Sequence, residues 1–155
     1  MKRQTTAMIL LLIAVGMVFS ALTSAMFVRR GLGDDWIALP IPSLALWNML
    51  VLAASSVALE LSRRRNSRAL WWSATALGIL FVGLQFQVWR DLAQAGFNVA
   101  TNPSSSFFYL LSSLHAVHVI GGIAALAATA TAAPLYWHAM SALWAYIILL
   151  FRCMQ

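Results

Sequence analysis

A chain of 155 residues with 62% hydrophobic and 9% formally charged side chains cannot cover a water-facing surface, which normally takes about a quarter charged residues. Its net charge of +6 does not point to nucleic acid, because the ten Lys and Arg residues fall in short clusters between apolar runs and form no basic face interleaved with aromatics. Lipid is the solvent this composition fits. The expected fold is all-α: a polytopic bundle of five transmembrane helices, one integral membrane domain over residues 1–155.

A hydrocarbon core of about 30 Å takes about 20 apolar residues as helix. The first such run, 5–28, is uncharged and closed by Arg29 and Arg30. Lys2, Arg3 and the small residues of "LTSA" also resemble a secretory signal with its cleavage site. The run continues through Met26, Phe27 and Val28, however, which is long for such a signal, so it is expected to stay as a span. The second span, 39–61, carries Glu60 near its end. Arg63, Arg64, Arg65 and Arg68 interrupt before the third, 69–89. After Arg90 and Asp91 comes the polar connection "AQAGFNVATNPSSS", with Gly, Asn and Pro as turn residues. No formal charge occurs from Phe107 to Phe151. As one helix that run would measure roughly 65 Å, twice the core thickness, so it must fold back. Pro134 marks the corner, since it lacks a helix donor and disfavours helix at Ala133. The last two spans are therefore placed at 107–133 and 135–151, the fifth being short. Cys153 is the single cysteine and can form no internal disulfide.

The basic residues set an orientation. With the N-terminus cytoplasmic, Lys2, Arg3, Arg63, Arg64, Arg65 and Arg68 lie inside, and Arg29, Arg30, Arg90 and Arg152 lie outside. The C-terminus is then external, and the expected location is the inner (plasma) membrane, crossed several times.

Polar side chains in hydrocarbon are costly and normally face other helices or a cavity. On the fourth span Ser112, His115, His118, Gly122, Ala125 and Thr129 recur at steps of three and four, and "GGIAALAATATAA" beyond them is nearly all small. Small residues let membrane helices approach closely. Asn48, Leu52, Ser55 and Ser56 share a face of the second span, and Thr75, Gly78, Gln85 and Trp89 a face of the third. Asn48, Gln85 and His115 fall at similar depth and are expected to form an interhelical hydrogen-bond layer. Metal chemistry is poorly served. His115 and His118 sit on one helix face and cannot flank one haem iron, and His138 differs from His118 in depth by roughly 15–20 Å. Zinc or copper would need three or four ligands, while Asp34, Asp35, Glu60 and Asp91 stand at or beyond span ends. Packing or hydrogen bonding is the preferred role for the histidines, ahead of proton or lipid contact and of metal. No phosphate loop or Ser/His/Asp set is present, and no catalytic residue is assigned.

Five segments, in order, carry a resemblance to a known family. "ALWNMLVLAASSVAL" resembles a W-N-x-x-x-L-x-x-S-S helix, and "LGILFVGLQFQVWRDLAQAGF" a G-x-x-F…Q-x-x-E-W-x-x-L…G helix. "NPSSSFFYLLSSLHAVHVIGG" is similar to S-S-x-F-Y-x-L-T-G-x-H-x-x-H-V-x-x-G, the most specific of the set. "YWHAMSALW" is similar to Y-W-H-F-x-D-x-x-W, and "FSALTSAMFVRR" to the end of the first span. Together they resemble subunit III of the haem–copper respiratory oxidases, in its short five-helix bacterial form. That resemblance implies a non-catalytic subunit in aerobic electron transfer. It would hold no haem or copper, which belong to partner subunits. It would pack against subunit I beside subunit II, bind phospholipid in clefts and support sustained turnover. It also implies structural, lipid or subunit contacts for Asn48, Ser55, Ser56, Gln85, Trp89, Ser112, His115, His118, Gly122 and His138. Where the family carries carboxylates, this chain has Val15, Val88 and Ser141. The alternatives are a subunit-III-like accessory subunit of a nitric oxide reductase, a haem-bearing quinone-oxidising anchor and a small transporter. The last lacks the midplane Gly/Pro breaks and central charge such proteins use.

Overall fold

Each expected span is built on an α-helix, the form in which a chain satisfies its own backbone groups inside lipid. The computed structural model describes residues 2–128 and 133–154. Its elements are α1 (Lys2–Leu32), α2 (Ser43–Arg65), α3 (Arg68–Gln94), α4 (Pro103–Ala127) and α5 (Ala133–Cys153), with no strand among the described residues. All five are long and apolar enough to cross a membrane, so this is a multi-pass membrane protein. Several helices run past the apolar cores expected for them. α1 takes in Arg29 and Arg30, and α4 starts at Pro103 and ends at Ala127. The stretch 129–132, which includes Thr129 and the expected end of the fourth span, lies outside the described residues.

Local chemistry explains the helix ends. The α2–α3 connection is two residues long, and Asn66 takes the left-handed conformation (φ 50°) that asparagine tolerates better than branched residues. The Ser67 amide then donates to Ser62 O at 3.1 Å, and Ser62 Oγ donates to Ser67 O at 2.8 Å. α3 stops at a Schellman turn. Gly96 has φ 88°, its amide donates to Ala93 O at 3.1 Å, and that of Phe97 donates to Leu92 O at 2.9 Å. α4 opens with Pro103 behind Asn102, whose side-chain oxygen accepts the Ser105 amide at 3.0 Å. Pro134 stands in the first turn of α5, where its missing N–H costs no helix bond.

Packing closes α2, α3, α4 and α5 into a ring. α2 lies on α3 and α5, α4 lies on α3 and α5, and α1 rests outside against α4 and α5. Neighbours in the ring run antiparallel. One end of the bundle carries the arginine-rich α2–α3 turn, and the other carries the 95–102 loop. Leu10, Met17, Trp47, Val57, Ile79, Phe86, Val117 and Leu149 point outward, apolar side chains where lipid is the solvent. The centre holds Phe81, Phe108, Trp137 and Trp144.

The α2–α3 turn gives a direct check. Asn66→Val forces a β-branched residue into the left-handed region and should cost about 1–2 kcal/mol, whereas Asn66→Gly should leave the thermal midpoint of the detergent-solubilised protein unchanged or higher.

Candidate functional site

Polar side chains from four helices line the interior as a seam, and they divide by depth. Nearest the arginine turn, Ser56 Oγ of α2 meets His138 Nδ1 of α5 in a short hydrogen bond. His138 Nε2 is 3.9 Å from Glu60 Oε2, and the Glu60 carboxylate is itself held by Arg64 at 2.9 Å and Arg63 at 3.4 Å. Serine, histidine and glutamate thus tie α2 to α5 where both leave the apolar core. Trp71 Nε1 of α3 donates to Leu126 O of α4 at 3.0 Å at the same end.

The middle layer centres on Trp137. Its indole is fully buried, and its Nε1 donates at 3.0 Å to Ser55 Oγ, which donates in turn to Ala74 O at 2.7 Å. The ring edge fills the space left by two glycines. A Cβ at Gly78 of α3 would fall 2.5 Å from Trp137 Cη2, and one at Gly122 of α4 would fall 3.0 Å from Cε3. Ser141 Oγ lies 3.1 Å from Trp137 O and 3.5 Å from Leu52 O. Tyr136 OH donates to His118 O at 3.0 Å, while His118 Nδ1 donates to Leu114 O at 2.7 Å, which fixes the proton on that nitrogen. The His118 ring edges Phe19 of α1 at 6.1 Å. Tyr146 OH of α5 donates to Thr23 Oγ1 of α1 at 2.9 Å.

Towards the 95–102 loop, Asn48 Nδ2 reaches across to α3, 3.2 Å from Phe81 O and 3.3 Å from Gln85 Oε1. Trp89 Nε1 donates to Ser112 Oγ at 2.9 Å, and Tyr109 OH lies 3.0 Å from Trp89 O and 3.1 Å from Phe97 O. His115 departs from the expected layer. It is at the depth of Asn48 and Gln85, but neither of its ring nitrogens has a hydrogen-bond partner. Rings hold it instead: it stacks on Trp144 at 5.2 Å and meets Phe81 edge-on at 5.6 Å. Helical spacing places a side chain on a face, but it does not say whether the facing helix offers an amide or an indole.

The residues singled out in the sequence are therefore distributed over three levels. Ser56 and His138 meet, Ser55 and Gly122 meet Trp137, Asn48 meets Gln85, and Trp89 meets Ser112. Trp137 and Trp144 were not among the residues singled out, although a large indole sits close against both Gly78 and Gly122. Among the described residues no three His, Cys, Asp or Glu side chains are grouped to hold a metal ion. Val88 and Val15, where the resemblance leads one to expect carboxylates, are both buried.

Beyond the seam, Arg29 and Asp35 form an ion pair at 2.6 Å beside an open cleft of about 480 Å³, lined also by Asn102, Pro103, Ser106 and Phe107. The Arg29 hydrogen bond holds the Asp35 carboxyl below its usual range. Both groups are exposed, so the pair adds little to stability.

Comparison of the sequence with known proteins finds three relatives. The chain is 25% identical over 167 residues to cytochrome c oxidase subunit 3 of Thermostichus vulcanus, covering 88% of this chain and 80% of that protein. It is 26% identical over 170 residues to cytochrome c oxidase subunit 3 of Synechocystis sp., covering 92% and 72%. The protein of the same name from Alkalihalophilus pseudofirmus is 25% identical over 146 residues, covering 77% and 71%. No family model matches the sequence. Over most of its length the chain is similar, at a divergent level, to proteins named cytochrome c oxidase subunit 3.

If the indole wedge holds the bundle together, glycine position decides the outcome. Gly78→Ala drives a methyl into rigid indole carbons and should destabilise by about 1–3 kcal/mol. Gly83→Ala, on the same helix with nothing within 4 Å, should leave the midpoint unchanged or slightly raised. Thermal unfolding followed by tryptophan fluorescence checks both.

Proposed function

We propose that the chain is the non-catalytic subunit III of a haem–copper terminal oxidase in aerobic respiratory electron transfer. In this role it packs against the large catalytic subunit I beside subunit II and binds phospholipid. The observation that carries the proposal is similarity to three subunit III proteins over most of the chain, joined to a five-helix bundle whose interior is filled by packing side chains.

The chemistry of the chain supports a scaffold. Many intramembrane polar side chains bond between helices, and the ion-paired carboxylates stand at the ends: Glu60 with two arginines, Asp35 with Arg29. Haem and copper would be held by partner subunits. The outward apolar faces suit lipid and a neighbouring membrane subunit. The cleft between Arg29 and the start of α4 offers the Arg29–Asp35 pair, a hydroxyl and an aromatic ring to a phospholipid headgroup and its upper acyl chain. The excess of Lys and Arg at the α1 start and the α2–α3 turn supports a cytoplasmic N-terminus and an external C-terminus in the inner (plasma) membrane.

Purification in mild detergent through a tag on this chain tests the assignment. A haem–copper subunit I and its pigments should co-purify. Tagged protein that emerges with a nitric oxide reductase large subunit, or that carries a b-type haem band with no partner, contradicts it.

A further inference from the structure

Five polar atoms at one level of the bundle have no hydrogen-bond partner among the described residues. They are Asn48 Oδ1 of α2, Gln85 Nε2 of α3, both ring nitrogens of His115 of α4, and Trp144 Nε1 of α5. All four residues are at most 1% exposed. Their common depth follows from the register of the helices. Trp89 against Ser112, and Gly78 and Gly122 against one indole, set α3 and α4 so that Gln85 faces His115. Ser55 against Trp137 and Leu52 against Ser141 set α2 and α5 so that Asn48 faces the turn of Trp144. Phe81 joins the four, since its carbonyl faces Asn48 and its ring touches both His115 and Trp144.

An unpaired buried donor or acceptor costs about 1–3 kcal/mol, and no solvent enters hydrocarbon to relieve it. Polar atoms left over in a core are normally bridged by enclosed water, which makes about three hydrogen bonds. The chemistry of this layer selects such a ligand. It bears no formal charge, which disfavours an ion. It offers N–H donors from Gln85, Trp144 and one His115 nitrogen, and acceptors from Asn48 and, in neutral imidazole, the other His115 nitrogen. Water, which both donates and accepts, suits that mixed set, with more than one molecule needed to engage all five atoms. We infer that the layer of Asn48, Gln85, His115 and Trp144 is an internal water-binding site, joining four helices through hydrogen bonds that their side chains do not make directly. The amides and the imidazole are then positioned by the enclosed water, and the Asn48–Gln85 bond is one edge of the network.

Radiolytic hydroxyl-radical footprinting of the full-length chain in lipid nanodiscs, in H2¹⁸O and H2¹⁶O, tests this, because a side chain sealed from bulk solvent is oxidised when water is bound beside it. Trp137 is the internal standard, equally buried but with its N–H already on Ser55. Trp144 should be oxidised several-fold more than Trp137, with slow exchange of the isotope. Gln85→Leu should reduce that labelling. His115→Phe should lower the thermal midpoint, since it removes an anchor of the network. Equal labelling of the two tryptophans in the unmodified chain, or a raised midpoint in His115→Phe, means a dry layer and overturns the proposal. The tryptophan comparison needs no variant, so it decides even where a substitution prevents folding.

Discussion

One indole ring holds this bundle closed. Trp137 leaves α5, inserts its edge where Gly78 of α3 and Gly122 of α4 present no side chain, and donates its N–H to Ser55 of α2. In lipid, apolar side chains gain nothing by leaving solvent, so helices associate through close dispersion contact and a few hydrogen bonds. A tryptophan supplies the largest contact area of any side chain, but it can be buried between two helices only if both make room, and its N–H must find an acceptor. All three conditions meet at this point. Four helices are thereby tied at one residue, and the antiparallel register of the ring follows from it.

From that point the polar seam reads as a consequence of depth. Near the arginine turn, water and headgroups are close, so charged groups take part: Glu60 holds Arg63 and Arg64 and stands near His138. At mid-depth the contacts are hydroxyl, indole and backbone carbonyl. Towards the 95–102 loop they become amide, imidazole and aromatic ring. Each is modest, around 0.6 kcal/mol for an average interhelical hydrogen bond in a membrane protein. Their use is to fix which residue faces which, a task that uniform leucine faces perform poorly. α1 stands apart from this scheme. It joins α4 and α5 through Thr23, Phe19 and neighbouring apolar side chains, and leaves most of its surface outward.

Helix number and membrane character were legible because lipid imposes a simple rule on length and charge. Helix ends were less so, since capping turns such as Asn66 and Gly96 carry a helix beyond its apolar core. Within the interior, spacing identified Asn48 and Gln85 on facing stripes, and they do bond. The same spacing put His115 in their company as a hydrogen-bonding partner, whereas it lies against Phe81 and Trp144. The difference is a matter of rotation about a helix axis, which period alone leaves open. Trp137 went unremarked for a related reason: tryptophan in a membrane sequence is usually an interfacial anchor. The glycines that admit it sit on two other helices, so the three can be matched only when register is known.

The positions without carboxylates bear on what such a subunit can do. Val88 is wholly enclosed and Val15 nearly so, each in apolar contact, while the Ser141 hydroxyl is turned back on the carbonyls of Trp137 and Leu52. An ionised acid at Val88 would need a buried cationic partner, and the ion pairs of the bundle stand at its ends. Exchange of acid for apolar or hydroxyl groups therefore leaves the middle of the bundle neutral. If the chain serves as proposed, the wedge, the seam and the outward apolar faces are what it brings to that role: helices fixed in register and a surface suited to lipid or a neighbouring membrane protein.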